Sequence, residues 1–170
     1  MATGQGHLAH TRDSDQAKAS LMEDARVFRD FDWAELCLLA GFMTCRELRA
    51  GEVLFEEGDA GSYMAVLTAG VVSVVKRAAG GGEIIVGDIH VRHVVGEQAL
   101  IDGEPRSATV YAQTPVALMV LRKEAFERIV DGYPRLGAKL LAALARVMSA
   151  RLRKTTGQLA CDGRREVLMR

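Results

Sequence analysis

The sequence predicts a mainly β domain, a small barrel or sandwich, with helices on both flanks. Two observations carry that reading. From Glu47 to Leu121, short runs rich in Val, Ile, Tyr and Thr alternate with glycines at turn spacing, the signature of many short strands. On either side, apolar residues recur at three- and four-residue steps, the period of a helix buried along one face. The density of helix-breaking glycines argues against βαβ crossovers between the strands.

Each element can be justified in order. Residues 1–19 are small and polar with no apolar period, and are assigned to a disordered tail. Residues 20–45 read as two short helices from the spacing of Met22, Val27, Phe28, Phe31, Leu36, Leu39, Phe42 and Met43. Asp32, with Glu35 three residues on, forms a capping-box pattern at the start of the second. Within residues 47–121 the strand-like runs are Glu52–Phe55, Tyr63–Thr68, Val71–Lys76, Glu83–Ile89, Val91–Val95, Ser107–Ala112 and Val116–Leu121. The helical period returns at Lys123–Val130. Pro134, suited to a first helical turn, then opens a longer helix to about Thr156 with an apolar stripe from Leu136 to Leu152. Residues 157–170 are read as a basic C-terminal tail.

Composition bounds the function. The 170 residues are 49% hydrophobic, enough for a sizeable core, and Lys+Arg and Asp+Glu balance at 22 each. A zero net charge argues against a basic nucleic-acid coat. The distribution is uneven: residues 146–170 hold seven basic and two acidic side chains, read as a solvated helix face and tail. No apolar run reaches the roughly 18–20 residues of a membrane helix, and the first residues lack the apolar core of a secretory signal. A soluble, cytoplasmic protein is expected. Cys37, Cys45 and Cys161 are too few for a four-cysteine zinc or iron–sulfur site.

One segment carries chemistry: Gly96-Glu97-Gln98-Ala99-Leu100-Ile101-Asp102-Gly103-Glu104-Pro105-Arg106-Ser107-Ala108-Thr109-Val110. Gly96 permits close backbone approach and unusual dihedrals. Residues 97–101 suit one helical turn, whose free N–H groups at Gln98 and Ala99 would face an anion. Arg106 offers a guanidinium fork for phosphate oxygens, Ser107 a hydroxyl, and Ala108 leaves room. Glu97, at the mouth of an apolar strand region, needs a partner: Arg106, or a ligand hydroxyl such as that of a ribose. An anion donor set beside a hydroxyl acceptor fits a sugar phosphate.

The segment resembles the phosphate-binding cassette of the cyclic nucleotide-binding domain family, whose pattern is Gly-Glu-x-Ala-Leu, a spacer, then Pro-Arg-[Ser/Ala/Thr]-Ala-x-Val. The step from Glu97 to Arg106 is similar to that of kinase regulatory subunits and channel domains, including bacterial ones; activator proteins usually have one residue more. Upstream, Gly51 to Asp59 and the Tyr63–Val74 hairpin with Gly70 resemble the family's opening strands, and the similarity spans about residues 24–156. The resemblance implies an eight-stranded antiparallel β-roll with N-terminal helices and two C-terminal helices. It implies that Glu97 accepts the ribose 2′-OH and that Arg106 holds the cyclic phosphate. Gly96, Gln98, Ala99 and Ser107 would complete the cradle, Val74, Val86 and Val95 would line the sugar and base, and small Ala108 would leave room in the site. A lid residue would come from the last helix, among Leu144, Val147, Met148 and Arg151. Ser107, in place of a cGMP-associated Thr, points to cAMP, with cGMP the other possible ligand.

The implied role is a regulatory sensor without enzymatic activity or cofactor. It would transmit occupancy through the last helix to a homodimer partner or an effector protein. Only fourteen residues follow Thr156, too few for a helix-turn-helix module, so sequence-specific DNA binding is not expected. The family usually has Gly four residues before the cassette glycine; here Arg92 stands there, which puts that turn in question. The alternative is a ligand-free roll serving as an interaction or dimerisation module. A cupin-type metalloenzyme is a distant third, because His90 and His93 have the wrong spacing for one strand face.

Overall fold

The computed structural model describes the backbone of residues 5–78 and 80–168, and the side chains of residues 14–78 and 80–157. Helix α1 (Gln5–Met22), a 3-10 turn (Arg26–Phe28) and α2 (Trp33–Ala40) precede the strands. Then come β1 (Thr44–Leu48), β2 (Val53–Phe55), β3 (Tyr63–Ala69), β4 (Val71–Arg77), β5 (Glu83–His90) and β6 (Val94–Val95). A short helix α3 (Glu97–Asp102) separates these from β7 (Thr109–Ala112) and β8 (Val116–Arg122), and α4 (Lys123–Gly132) and α5 (Pro134–Leu168) follow.

The eight strands form two four-stranded antiparallel sheets, ordered β1-β8-β3-β6 and β2-β7-β4-β5. This is the β-roll architecture expected. Strand side chains alternate between faces, and that alternation produces two cores. Ala65, Leu67, Leu118 and Val120 point into the roll with Leu54, Phe55, Val72, Val95 and Val110. Met64, Val66, Met119 and Leu121, the intervening residues of β3 and β8, point outward onto Met22, Phe28, Leu39, Ile129, Leu140 and Leu144 of the helices. Strands buried on both faces read as continuous apolar runs, which explains Met64–Leu67.

Four expectations are corrected. Residues 1–19 were expected as a tail, but α1 begins at Gln5; residues 1–4 lie outside the described residues. Among its described side chains only Ala19 and Met22, in the last turn, are buried, and its sequence shows no long apolar period. Thr44 and Cys45, expected at the end of the helical stretch, open strand β1. That strand lies at a sheet edge, buries only Leu48 and is set by pairing with β8, so its face pattern is hidden. The run at Val91–Val95 shrinks to Val94–Val95, because residues 91–93 turn. Helix α5 continues to Leu168 rather than ending near Thr156, so residues 157–168 are helical; an interior glycine such as Gly157 costs a helix only about 1 kcal/mol. The capping box at Asp32 and Glu35 is formed, with both bonds at 2.9 Å. Among the described residues no helix is long and apolar enough to cross a membrane.

Candidate functional site

Strand β6 delivers the chain to Gly96, which adopts φ 75° and serves as N-cap of α3 without any side-chain cap bond. The first N–H groups of α3 therefore have no side-chain acceptor at the cap. Space at this corner is tight. A Cβ on Gly96 would stand 2.5 Å from Arg106 Nη1 and 3.1 Å from Phe55 Cε1. From the other side Gly61 presses on the same helix: a Cβ there would sit 2.0 Å from Ala99 Cβ. Gly61 has no positive φ to advertise it; only the packing of Ala99 against it requires a glycine there.

Helix α3 ends at Gly103 (φ 73°), whose N–H donates to Ala99 O. The returning chain is stitched to the β2–β3 loop: Arg106 N donates to Asp59 O at 2.8 Å and Gly58 N to Arg106 O at 2.9 Å. The Arg106 side chain is 3% exposed. It donates from Nη1 to Gly96 O (2.9 Å) and from Nη2 to Tyr63 O (2.7 Å). Its Cζ lies 4.0 Å from the Phe55 ring centre and 4.6 Å from that of Tyr63, a cation held between two π faces. Burial pushes the guanidinium below its ordinary pKa, against the pull of Tyr63, Asp59 and Glu97. Arg106 Nε is buried without a partner.

Glu97 is fully buried. Pairing with Arg106, one of the two partners considered from sequence, does not occur; Nη1 and Nη2 of Arg106 donate instead to the carbonyls of Gly96 and Tyr63. The partner comes from α5: Arg151 Nη1 stands 2.5 Å from Glu97 Oε1, and Arg151 Nη2 donates to Val94 O. The second carboxylate oxygen, Glu97 Oε2, is buried with no partner. Glu97, Arg106 and Arg151 together carry one net positive charge, suited to a monoanion.

The other expected residues are placed as follows. Gln98 and Ser107 are exposed and bonded to each other, Ser107 Oγ donating to Gln98 Oε1 at 3.1 Å. Ala99 is buried against Gly61 and Ala108 is half-buried. Val95 lies in the roll interior, and half-buried Val74 packs against the same core. Val86 is 62% exposed on β5, at the point where the β4–β5 register shifts. Of the four lid candidates, Leu144 and Val147 pack into the helical core and Met148 lines an outer groove with Ile101 and Leu141; Arg151 is the one that pairs with Glu97. Arg92 takes φ 72°. Its N–H donates to Leu67 O (2.9 Å), and His93 O accepts from Leu67 N (3.0 Å). The turn in question is thus kept, with arginine in the left-handed conformation.

Comparisons with known proteins bear on the family and the fold. The family model for the cyclic nucleotide-binding domain matches residues 45–133. The chain belongs to that family. The match takes in β1 to α4 and the whole cassette. A cAMP-dependent protein kinase regulatory subunit of Blastocladiella emersonii is 32% identical over 104 residues, 61% of this chain and 26% of the relative. A CRP-like cAMP-activated global transcriptional regulator of Mycobacterium tuberculosis is 24% identical over 140 residues, 82% of this chain and 61% of the relative. The chain thus spans about a quarter of that kinase subunit's length and less than two thirds of the regulator's. A solved cyclic nucleotide-binding domain from Methylobacillus flagellatus superposes with a TM-score of 0.78 at 28% identity, covering 88% of this chain and 84% of that one.

Proposed function

We propose that this chain is a cAMP-binding sensor domain that passes ligand occupancy to a partner through α5. The observation that carries this is the pair of buried, unpartnered polar atoms in one cassette, Glu97 Oε2 and Arg106 Nε. An orphaned buried acceptor or donor costs about 1–3 kcal/mol, so a ligand that supplies the missing partner gains that much on binding. A ribose 2′-OH answers Glu97 Oε2. A cyclic phosphodiester carries the single negative charge that balances Glu97, Arg106 and Arg151. Arg106 has three of its five N–H groups uncommitted. Ser107 would exchange Gln98 for phosphate, with the N–H groups of Gln98 and Ala99 alongside.

Arg151 supplies the link to output. It holds α5 to Glu97, the carboxylate that would meet the ligand, so any ligand that alters that pair alters the free energy of α5 docking. Thr155 lies one turn further along that face of α5 and is exposed, with a hydroxyl for a base edge. The outer stripe of α5, with Leu141 and Leu152 exposed, would meet a second copy or an effector. The role is binding without catalysis, and no cofactor is called for. A second reading, a ligand-free interaction module, draws on the internal contacts that Ser107 and Arg151 already make, with Gln98 for one and with Glu97 and Val94 O for the other.

Thermal unfolding of nucleotide-stripped protein with cAMP or cGMP separates the two. At a hundred times its dissociation constant a ligand adds about 2.7 kcal/mol, several degrees for a domain of this size. A shift larger with cAMP than with cGMP is expected. A larger shift with cGMP overturns the preference drawn from Ser107, and no shift with either favours the interaction module.

A further inference from the structure

Strand β4 sends Val72 and Val74 toward the roll interior, and the strand period places Lys76 next on that face. A lysine in this register breaks an apolar series. Its ammonium is not free to wander: Nζ donates to Ser107 O at 2.9 Å and stands 3.6 Å from Glu57 Oε1. Glu57 is itself positioned, because its Oε2 accepts the Arg77 N–H at 2.9 Å. That bond, ahead of the Lys76 charge, holds the Glu57 carboxyl below the usual carboxylate range. One of the three ammonium donors is spent on the carbonyl and one faces a loose ion partner, leaving hydrogen-bonding capacity. The Lys76 side chain is half exposed, so water or an anion can reach it. The residue it grips, Ser107, immediately follows Arg106 and carries the hydroxyl at the anion end of the cassette.

We infer that Lys76 is a further ligand-contacting residue of this site, a cation that binds the phosphate beside Ser107 and favours anionic nucleotides over neutral nucleosides. Glu57 stays its nearby counter-ion, and the phosphate takes up one of the remaining ammonium N–H donors. The inference rests on the cassette being a nucleotide site.

The test is titration calorimetry of nucleotide-stripped wild type, Lys76→Met and Lys76→Arg with cAMP at low and moderate salt. Adenosine is measured in parallel by competition against a fluorescent cyclic nucleotide. Lys76→Met is expected to weaken cAMP about tenfold, as for loss of a charge-assisted bond, and to flatten the salt dependence, while leaving adenosine and the melting temperature unchanged. Lys76→Arg is expected to restore most of the affinity. Unchanged cAMP affinity in Lys76→Met overturns the inference alone. Equal weakening of cAMP and adenosine also overturns it, because Lys76 would then merely brace the Ser107 loop. Wild type that binds neither ligand overturns the cassette reading, and this inference with it.

Discussion

Two residues four apart, Arg92 and Gly96, bracket the turn before α3, and both hold left-handed backbone at φ 72° and 75°. Sterically the two positions are opposites. Around Gly96 the Arg106 guanidinium, the Phe55 ring and the Tyr63 carbonyl all lie within 3.2 Å of where a Cβ would be. Arg92 is exposed, and its side chain reaches out to Asp24 at 2.6 Å. A left-handed conformation costs an L-residue about 1–2 kcal/mol, and that cost is bearable where nothing else is lost. At Gly96 the same Cβ would also displace a buried cation from its acceptors. The comparison separates a glycine required by backbone geometry alone, which the turn before the cassette does without, from one required by what packs against it.

Substitutions at the two ends of this turn test that distinction. Gly96→Ala is expected to have the largest effect. Strain of about 1–2 kcal/mol adds to the displacement of Arg106 Nη1, so the melting temperature falls by many degrees and cAMP binding is lost in calorimetry. An alanine variant that melts and binds like wild type would show that Arg106 can vacate this corner without cost. Arg106→Ala follows. The structure predicts about 2–4 kcal/mol of destabilisation, because the Gly96 and Tyr63 carbonyls lose donors and the two rings lose their filling; denaturant unfolding measures it. A stability within about 0.5 kcal/mol of wild type would contradict the buried role. The smallest effect belongs to Arg92→Gly, expected to stabilise the fold by up to about 1 kcal/mol. Relief of strain there exceeds the entropy gained by the unfolded chain and the loss of an exposed ion pair worth under about 1 kcal/mol. Nucleotide affinity should not move. A destabilised Arg92→Gly would mean that the Asp24 contact anchors the turn.

Much of this molecule was legible in one dimension because its signals are local. Strand runs bounded by glycines, the capping box at Asp32, and the close spacing of Gly96, Glu97 and Arg106 depend on neighbours in the chain. Helix α1 and strand β1 were missed for the converse reason. Their stability comes from partners outside the segment itself, α2 for one and β8, some seventy residues on, for the other, while most of their described side chains are exposed. The cassette divides in the same way. Its residues were recognisable from spacing, but which charge meets which was not.

The sequence by itself determined a series of short, glycine-punctuated strands between helices, and a segment whose residue types suit a sugar phosphate. Those properties follow from backbone sterics and side-chain chemistry acting within a few residues. Tertiary structure alone decided that Glu97 pairs with Arg151, 54 positions away, and that Arg106 is held between Phe55 and Tyr63. It also decided that Gly61 makes room for Ala99 and that Lys76 reaches Ser107. Buried charges take whichever partners the packing brings within hydrogen-bond range, and that choice is made by how the sheets and α5 come together.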